Sequence, residues 1–302
     1  MEIGLVGLGK MGAHMTERLL KRGHRVVAYD ENAQVLKAGE SLGAVGADSL
    51  QALAGKLGKP RAVWCMVPAG DPTEQTVNAL LELLAPGDII IDGGNSNYCD
   101  SMRRAEAAKA KGVHFVDAGT SGGVWGLKEG YSLMVGGQPE AVERLRPIFE
   151  TLAPAPDRGW ARVGPSGAGH FVKMVHNGIE YGLMEAYAEG LQILKAKAEF
   201  GLDLRQVVEV WRYGSVVRSW LLDLVAHALA QDPELSKIKP WVEDSGEGRW
   251  AVLEAVSGAV PAPVIALALM RRFRSRETEP FAEKLLAAMR HEFGGHAVKP
   301  EE

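Results

Sequence analysis

The sequence has only two cysteines, no long apolar run and no excess of basic residues. Cys65 and Cys99 lack the spacing of a metal site or a redox pair, so no metal is predicted. No segment approaches the roughly 20 apolar residues of a membrane-spanning helix, and the N-terminus enters a strand directly instead of a basic and then apolar leader. We therefore expect a cytoplasmic protein without a membrane partner.

The shortage of basic residues leaves a formal net charge of −4. A nucleic-acid-binding surface needs a concentrated basic stripe, so no nucleic-acid partner is expected. An anionic small molecule would have to be held by a few local cations. The length of 302 residues, with 46% hydrophobic and 24% charged residues, is typical of a globular protein with two domains.

The first thirty residues carry a dinucleotide-binding pattern. A strand at residues 2–6 runs into Gly7-Leu8-Gly9-Lys10-Met11-Gly12, and a helical pattern follows through about Leu20. The glycines permit a tight turn and a close approach of the backbone to a pyrophosphate, whose charge the helix N-terminus stabilises. A second strand at residues 25–29 completes the βαβ unit that the pattern requires.

Asp30 follows at the end of this second strand. An acidic residue there accepts hydrogen bonds from the adenosine ribose and repels a 2′-phosphate, which favours NAD over NADP as the cofactor. The alternative is that Asp30 is a loop acid or caps the next helix.

Strands and helices continue to alternate through the first half. Strands are predicted at residues 62–67, 88–92, 113–117 and 132–135, and helices at residues 73–84, 97–111 and 139–152. This alternation predicts an α/β fold, with an N-terminal Rossmann-type doubly wound domain over residues 1–165 and a mainly parallel sheet.

Ligands bind such sheets at the loops that follow the strands. Three loops are candidates here. Val67-Pro68-Ala69 would border the nicotinamide. The loop from Asp92 to Ser96 offers glycines, a hydroxyl and the amide of Asn95, which is a candidate contact of both the cofactor and the substrate. Ser121-Gly122-Gly123 offers a hydroxyl and backbone N–H groups to a carboxylate. The same residue types also form ordinary turns, which is the alternative.

The second half has no strand pattern. Prolines and a glycine punctuate residues 154–165, so we place the domain boundary after residue 165. Helical patterns follow at residues 203–213, 217–230, 247–258, 262–275 and 279–292. We predict an all-helical domain for substrate binding and oligomerisation over residues 166–302, opened by a long helix.

Residues 169–187 begin this long helix and carry a polar cluster. At about 100° per residue, a sector of roughly 100° contains Lys173, His176, Asn177 and Glu180. An ammonium, an imidazole, an amide and a carboxylate in one groove supply the donors and acceptors of proton-transfer catalysis. The alternative is a solvated face with ordinary i,i+3 and i,i+4 pairs.

A neighbouring sector of the helix is apolar and is predicted to be core; it contains Val172, Val175, Ile179 and Leu183. Gly178 and Gly182 lie inside the helix, where each glycine costs roughly 1 kcal/mol relative to alanine. They indicate close approach by another segment or by a ligand.

The chain resembles 6-phosphogluconate dehydrogenase of the decarboxylating kind, in its shorter form, within the β-hydroxyacid dehydrogenase superfamily. The resemblance covers nearly the whole length. Its motifs are residues 7–12, Asp92-Gly93-Gly94-Asn95-Ser96, Ser121-Gly122-Gly123, Lys173-Met174-Val175-His176-Asn177-Gly178-Ile179-Glu180-Tyr181 and the tail from Arg290 to His296. The first motif is common to many dehydrogenases, whereas the helix motif and the tail are much narrower.

The resemblance implies oxidative decarboxylation of 6-phosphogluconate to ribulose 5-phosphate and CO2 with reduction of NAD. Lys173 would take the C3 hydroxyl proton as hydride leaves for the nicotinamide, and would then assist the loss of CO2. Glu180 would protonate C1 of the enediol. The C3 carbonyl accepts the electrons released by decarboxylation, so the chemistry needs no metal.

The resemblance also implies a set of substrate contacts. The sugar acid would be held by Asn95, Ser121, Gly122, Gly123, His176 and Asn177. Its phosphate and distal contacts would be Tyr181, Arg272, Arg290 and His296. In this family the tail enters the site of a neighbouring subunit, which implies a homodimer or homotetramer.

The chain departs from its longer relatives at three places. Val124-Trp125-Gly126-Leu127 stands where they carry Glu-Glu-Gly-Ala-Arg, and a phosphate-contacting lysine is replaced near Ser245, where Arg249 is a candidate to compensate. Asp30-Glu31-Asn32 replaces an Asn-Arg-Thr associated with NADP, in agreement with NAD.

Two other functions remain as alternatives. Another β-hydroxyacid dehydrogenase, acting on 3-hydroxyisobutyrate, glyoxylate or imines, would share the two domains and the lysine, but would not need Glu180, Arg290 or His296. A non-catalytic NAD(H) sensor would bind the cofactor without turnover, and would leave Lys173 and Glu180 unexplained.

Overall fold

The structure is a computed structural model that describes residues 1–299. Residues 300–302 of the predicted second domain lie outside the described residues. The chain separates into two compact units, Met1–Asn177 and the part from Gly178 onward. The predicted domain boundary after residue 165 stays a prediction.

One eight-stranded sheet organises the first unit. Its strands are β1 Glu2–Val6, β2 Arg25–Tyr29, β3 Val45–Gly46, β4 Ala62–Cys65, β5 Ile89–Asp92, β6 His114–Ser121, β7 Ser132–Gly136 and β8 Trp160–Gly164. The spatial order is β3-β2-β1-β4-β5-β6-β7-β8. Neighbours from β3 to β6 are parallel, and β7 is antiparallel to β6. The chain reverses its direction of travel across the sheet between β1 and β4, and a crevice at the ends of such strands is where ligands bind.

Helices cover both faces of this sheet. They are α1 Lys10–Lys21, α2 Ala33–Ser41, α3 Leu50–Gly55, α4 Asp71–Leu83, α5 Tyr98–Ala110, α6 Gly126–Glu129 and α7 Pro139–Leu152. Successive strand residues point to opposite faces, so Ile89 and Ile91 pack in one core cluster and Ile90 in the other. The predicted Rossmann-type domain is confirmed.

The second unit is helical throughout its described residues. Its helices are α8 Ala168–Ala196, which crosses the division between the units, α9 Leu204–Arg212, α10 Trp220–Gln231, α11 Glu247–Ser257, α12 Pro263–Arg274 and α13 Phe281–Gly294. Two small apolar clusters hold it together, one around Val208 and Leu222 and one around Tyr181, Ala268 and Leu269. The prediction of an all-helical second part is confirmed.

Gly178 and Gly182 lie where other helices approach α8. A Cβ on Gly178 would lie 3.1 Å from the Ala251 Cβ, and one on Gly182 would lie 3.1 Å from a Val264 methyl. The close approach by another segment that the two glycines predict is therefore made by α11 and α12.

The predicted core sector of α8 is wrong. Val172, Ile179 and Leu183 are exposed by 37%, 53% and 45%. The packed side of the helix in the second unit carries Tyr181 and the two glycines instead. The spacing of large apolar residues does not predict the packed side of α8, because the neighbouring helices contact it at glycines, which have no side chain.

Two further properties of the described residues concern membrane-spanning helices and the two cysteine thiols. Within residues 1–299, no helix has the length and apolar character needed to cross a membrane. Cys65 is buried in β4, where burial raises the pKa of its thiol, whereas Cys99 is exposed in the first turn of α5.

Candidate active site

The loop after β1 has the geometry of a dinucleotide-binding turn. Gly7 has a φ of +89°, and a Cβ there would lie 2.4 Å from the Met66 carbonyl oxygen. A Cβ on Gly12 would lie 2.0 Å from the Gly7 carbonyl oxygen. Since α1 begins at Lys10, its free N–H groups lie at the end of β1, and this turn fits a pyrophosphate.

Asp30 joins this turn to the loop after β2. Its Oδ2 accepts the Leu8 N–H at 2.7 Å, and its Oδ1 accepts the Asn32 N–H at 2.8 Å. The cap of α2 is Asn32, whose side chain accepts the N–H groups of Gln34 and Val35. The alternative that Asp30 caps the helix is therefore wrong, and its carboxylate lies beside the glycine loop.

The loops after β4 and β5 touch each other. A Cβ on Gly94 would lie 3.0 Å from the Val67 carbonyl oxygen. The Thr73 hydroxyl donates to the Pro68 carbonyl at 2.8 Å, which fixes the loop of Val67, Pro68 and Ala69 to the start of α4. Asn95 lies in the second of these loops, two residues from the fixed Asn97 that caps α5.

Asp92, at the end of β5, fixes the loop that contains Asn95 through hydrogen bonds. This fully buried carboxylate accepts the Gly94 N–H at 3.1 Å and the Ser96 hydroxyl at 2.7 Å. The buried Arg104 guanidinium donates to the same carboxylate at 3.2 Å and to Glu74 of α4 at 2.9 Å. Removing one partner of such a buried pair typically costs about 3–5 kcal/mol.

Arg104 was not predicted from the sequence, although a signal exists. Ser101, Arg104 and Ala108 form the buried face of α5 at i, i+3 and i+7. A cation at a buried helical position needs a carboxylate partner. Glu74 is one such partner, and hydrogen bonds from Arg103 hold its pKa down to about 2.

The Ser121-Gly122-Gly123 segment leaves the end of β6. Gly122 and Gly123 have φ of +134° and +49°, and a short 3₁₀ turn follows at Gly123–Trp125. Since β6 is parallel to β5, Ser121 lies at the same edge of the sheet as the Asn95 loop. The candidate loops after β1, β4, β5 and β6 thus share one edge.

Lys173, His176 and Asn177 form a cluster on α8. The Lys173 Nζ donates to the Asn177 Oδ1 at 2.7 Å and lies 3.5 Å from the His176 Nδ1. The His176 Nδ1 lies 3.0 Å from the same amide oxygen. Lys173 is only 8% exposed, which contradicts the alternative of a solvated helix face.

The cluster lies directly on β6. A Cβ on Gly119 would come within 2.5 Å of the Lys173 Cβ and 2.7 Å of the Gly169 carbonyl oxygen. The missing side chain of Gly119 lets the helix pack on a strand that ends two residues later at Ser121. Glu180 follows Lys173 by two turns of the same helix, in the second unit, and is partly buried.

In the second unit, Tyr181 and Arg272 come together. The Arg272 guanidinium lies 3.6 Å from the centre of the Tyr181 ring, where the face of the ring attracts the cation. It also donates to the Glu243 carbonyl at 2.8 Å. The Ser245 N–H donates to the Tyr181 hydroxyl at 3.4 Å, so the loop before α11 borders this pair.

Arg249 is held by a carboxylate in the same loop. It donates twice to Asp244, at 2.7 and 3.1 Å, and Arg276 donates to that carboxylate at 2.8 Å. The hydrogen bonds from Arg249 lower the pKa of Asp244, a nearly buried acid. Two guanidinium groups thus share this one carboxylate.

Arg290 and His296, the two predicted tail contacts, are exposed on the second unit. Arg290 is exposed on α13, and His296 is exposed just after the helix, where its carbonyl oxygen lies 2.8 Å from the His291 Nδ1. Within residues 1–299, neither side chain forms a hydrogen bond or ion pair with Tyr181 or Arg272.

A metal site is not evident in the described part of the chain. No group of three or more histidine, cysteine, aspartate and glutamate side chains in residues 1–299 is arranged to hold an ion.

Comparison with protein families gives matches over both units. Residues 2–162 match the family described as the NAD binding domain of 6-phosphogluconate dehydrogenase. Residues 169–292 match the family described as the C-terminal domain of 6-phosphogluconate dehydrogenase.

Individual relatives agree with these matches. The chain is 43% identical over 299 residues to an NAD(+)-dependent, decarboxylating 6-phosphogluconate dehydrogenase of Haloferax volcanii, covering 99% of this chain and 98% of that protein. A structure of Plasmodium falciparum 6-phosphogluconate dehydrogenase, described with its cofactor NADP+ and its substrate, superposes with a TM-score of 0.83 at 30% identity, over 100% of this chain and 67% of that one. A 3-hydroxyisobutyrate dehydrogenase of Mycobacterium tuberculosis shares the fold, with a TM-score of 0.72 at 23% identity over 88% and 90% of the two chains.

Proposed function

The chain belongs to the 6-phosphogluconate dehydrogenase family, and on that premise we propose that it converts 6-phospho-D-gluconate to D-ribulose 5-phosphate and CO2 with NAD as its cofactor. The observation that carries this proposal is the cluster of the buried Lys173 with the half-buried His176 and Asn177, packed on the strand that leads into Ser121-Gly122-Gly123.

Lys173 is the proposed base. Its Nζ already interacts with the Asn177 Oδ1 and lies near the His176 Nδ1, so both neighbours fix its position. In its neutral form it takes the proton of the substrate's C3 hydroxyl. A bound NAD supplies the acceptor for the hydride from C3. The lysine, now protonated, donates a hydrogen bond to the new C3 carbonyl oxygen.

This protonated lysine also favours the second step. When the C1 carboxylate leaves as CO2, its bonding electrons move into the bond between C2 and C3, and negative charge develops on the C3 oxygen next to the ammonium. The ammonium proton passes to this oxygen, which gives the enediol. Glu180 then protonates the former C2, which is C1 of the product, while Lys173 takes the proton back from the oxygen and the ketose carbonyl forms. The place of Glu180 two turns beyond Lys173 on α8 supports this separate role.

The remaining candidates hold the substrate. Ser121, Gly122 and Gly123 offer a hydroxyl and backbone N–H groups to the C1 carboxylate, and Asn95 lies in the loop at the same sheet edge. Tyr181 and Arg272 are the proposed phosphate contacts in the second unit, where arginines supply local positive charge to a chain whose net charge is −4.

A dimer or tetramer is part of the proposal. Arg290 and His296 would contact the substrate in a neighbouring subunit. Their exposure on and after α13, and the exposed apolar residues Val172, Ile179 and Leu183 of α8, are consistent with surfaces that another copy covers.

NAD is proposed as the preferred cofactor because of Asp30. The Haloferax volcanii relative is described as NAD(+)-dependent, whereas the Plasmodium falciparum protein is described with NADP+, so family membership alone leaves both open. Asp30 lies at the end of β2, where its charge would oppose a 2′-phosphate.

Asp30→Ala is expected to lower the ratio of kcat/KM for NAD to that for NADP by about 10- to 100-fold, since hydrogen bonds to a charged group contribute roughly 1.5–3 kcal/mol. Steady-state kinetics with each cofactor at saturating substrate give this ratio. Glu31→Ala is the control, because it removes the adjacent exposed acid. An unchanged ratio in Asp30→Ala would mean that the carboxylate only fixes the Leu8 and Asn32 N–H groups.

The activity itself is tested with the wild-type protein, 6-phosphogluconate and either cofactor. Formation of reduced nicotinamide with one equivalent of CO2 is the expected result. Reduction without CO2 would indicate another hydroxyacid dehydrogenase, and tight NAD binding without turnover on any hydroxyacid would indicate a sensor.

A further inference from the structure

Asp117 is a buried carboxylate in β6 that the proposed chemistry does not use. It is completely inaccessible to solvent, four residues before Ser121 on the same strand. A charged side chain inside a sheet is costly unless hydrogen bonds satisfy it, so its partners indicate what it does.

Those partners are backbone N–H groups at the start of α8. The Asp117 Oδ1 accepts the Gly167 N–H at 2.7 Å, and its Oδ2 accepts the His170 N–H at 2.9 Å. The first N–H groups of a helix have no partner within the helix, and a negative charge there is favourable. Asp117 therefore caps α8 from the neighbouring strand.

The same turn of α8 has a second anchor on α5. The buried His170 ring lies with its Nδ1 2.6 Å from the Ser101 hydroxyl, and the Phe171 ring packs edge-on against Tyr98 at 5.2 Å. The helix α5 begins three residues after Asn95. The first turn of α8 is thus tied to both elements that carry the candidate substrate loops of the first unit.

We propose that Asp117, supported by Ser101 and His170, is a positioning residue that sets the place of Lys173 relative to the Ser121-Gly122-Gly123 loop. The inference rests on the proposed function. Lys173 lies less than one turn beyond His170, so a shift of the capped turn along or around the helix axis moves its Nζ directly. The strand from Asp117 to Ser121 fixes the position of the loop itself. Asp117 therefore links the helix that carries Lys173 to the strand that carries the loop.

Two glycines leave the space that Asp117 occupies. A Cβ on Gly136 would lie 2.5 Å from the Asp117 Oδ1, and one on Gly169 would lie 2.5 Å from the Asp117 carbonyl oxygen. Asparagine fits, but its NH2 group would face one of the two N–H donors, so one hydrogen bond is replaced by a repulsive contact.

Asp117→Asn is the test, and Asp88→Asn is its matched control. Asp88 is equally buried and also accepts two backbone N–H groups, from Arg61 and Ala85, but it lies at the opposite end of β5 from the Asn95 loop. Both variants remove a buried charge with two backbone bonds, and Asp88→Asn also weakens an ion pair with Arg61 at 3.3 Å, so both are expected to lower the thermal unfolding midpoint.

Only Asp117→Asn should change the chemistry. We expect its kcat to fall about 10- to 100-fold, because small misplacement of a catalytic group has effects of this size. The KM for NAD should stay within about twofold of wild type, since the glycine loop after β1 keeps its own hydrogen bond to Asp30. The isotope effect on kcat with substrate deuterated at C3 should rise, because the step that Lys173 assists becomes slower. Asp88→Asn should keep the wild-type isotope effect and kcat.

The outcomes separate the two proposals. A wild-type protein that does not turn over 6-phosphogluconate would overturn the proposed function, and this inference with it. An active wild type, with Asp117→Asn matching Asp88→Asn in kcat and isotope effect, would overturn the positioning role alone. If Asp117→Asn does not fold, Ser101→Ala removes the second anchor of the same turn, and an unchanged isotope effect there would overturn the proposal.

Discussion

Lys173→Ala is expected to lower kcat by about 10²- to 10⁴-fold, the range that a positioned acid or base contributes. The variant loses the group that takes the C3 hydroxyl proton, and the Asn177 amide that contacts it is not basic. Affinity for NAD should change little, because the variant keeps the glycine loop after β1 and its hydrogen bond to Asp30. Fluorescence titration of NADH measures this affinity.

A matched control for this variant lies on the same helix. Lys195→Ala removes an exposed lysine near the end of α8, whose Nζ is paired with Glu234 at 2.7 Å. It should leave kcat unchanged. Near-normal turnover by Lys173→Ala would refute the proton-transfer role, and a parallel loss of NADH binding would show that the lysine supports the fold of the cofactor domain instead.

Glu180→Gln is expected to have the second largest effect, and its kinetic form should differ. Oxidation and loss of CO2 precede the protonation of C1, so reduced nicotinamide should still form in a rapid first turnover. The following steady-state rate should be about 10²- to 10³-fold below wild type, within the range for loss of a general acid. Stopped-flow absorbance would show a burst of about one equivalent per site.

The control for Glu180 is Glu185→Gln, which removes a carboxylate on the same helix that is paired with Arg271 at 3.1 Å. It should show neither a burst nor a slow steady state. A Glu180→Gln variant that is slow in its first turnover as well would place the glutamate before decarboxylation, and one with wild-type rates would remove it from the mechanism.

The sequence predicts the sheet well where its strands are covered on both faces. Ile89-Ile90-Ile91 is apolar at every position because each face of the strand meets helices. The edge strand β8 was missed, since residues 161–163 are exposed and follow a segment rich in proline and glycine. The short β3 and the helices α2 and α3 were also not predicted, and these elements have two to nine residues each.

Only part of the candidate site can be predicted from the sequence. Lys173, His176 and Asn177 share one helix, so their proximity follows from helical spacing alone. Asp117 and Arg104 act through partners on other elements, and their function depends on which strand lies beside which helix. Which strand packs beside which helix cannot be predicted from local sequence patterns. A charged residue at a buried position of β6 or α5 nevertheless indicates that such a partner exists.

The different burial of the two cysteines makes the native chain suitable for a site-specific probe. Thiol reagents react with the thiolate, so Cys65, which is buried and whose pKa is raised, is inert in the folded protein, while Cys99 is accessible. A fluorescent maleimide would therefore label one position without any engineered substitution. That position lies four residues after Asn95, at the start of α5, so its emission would report when a ligand binds at the loop beside it.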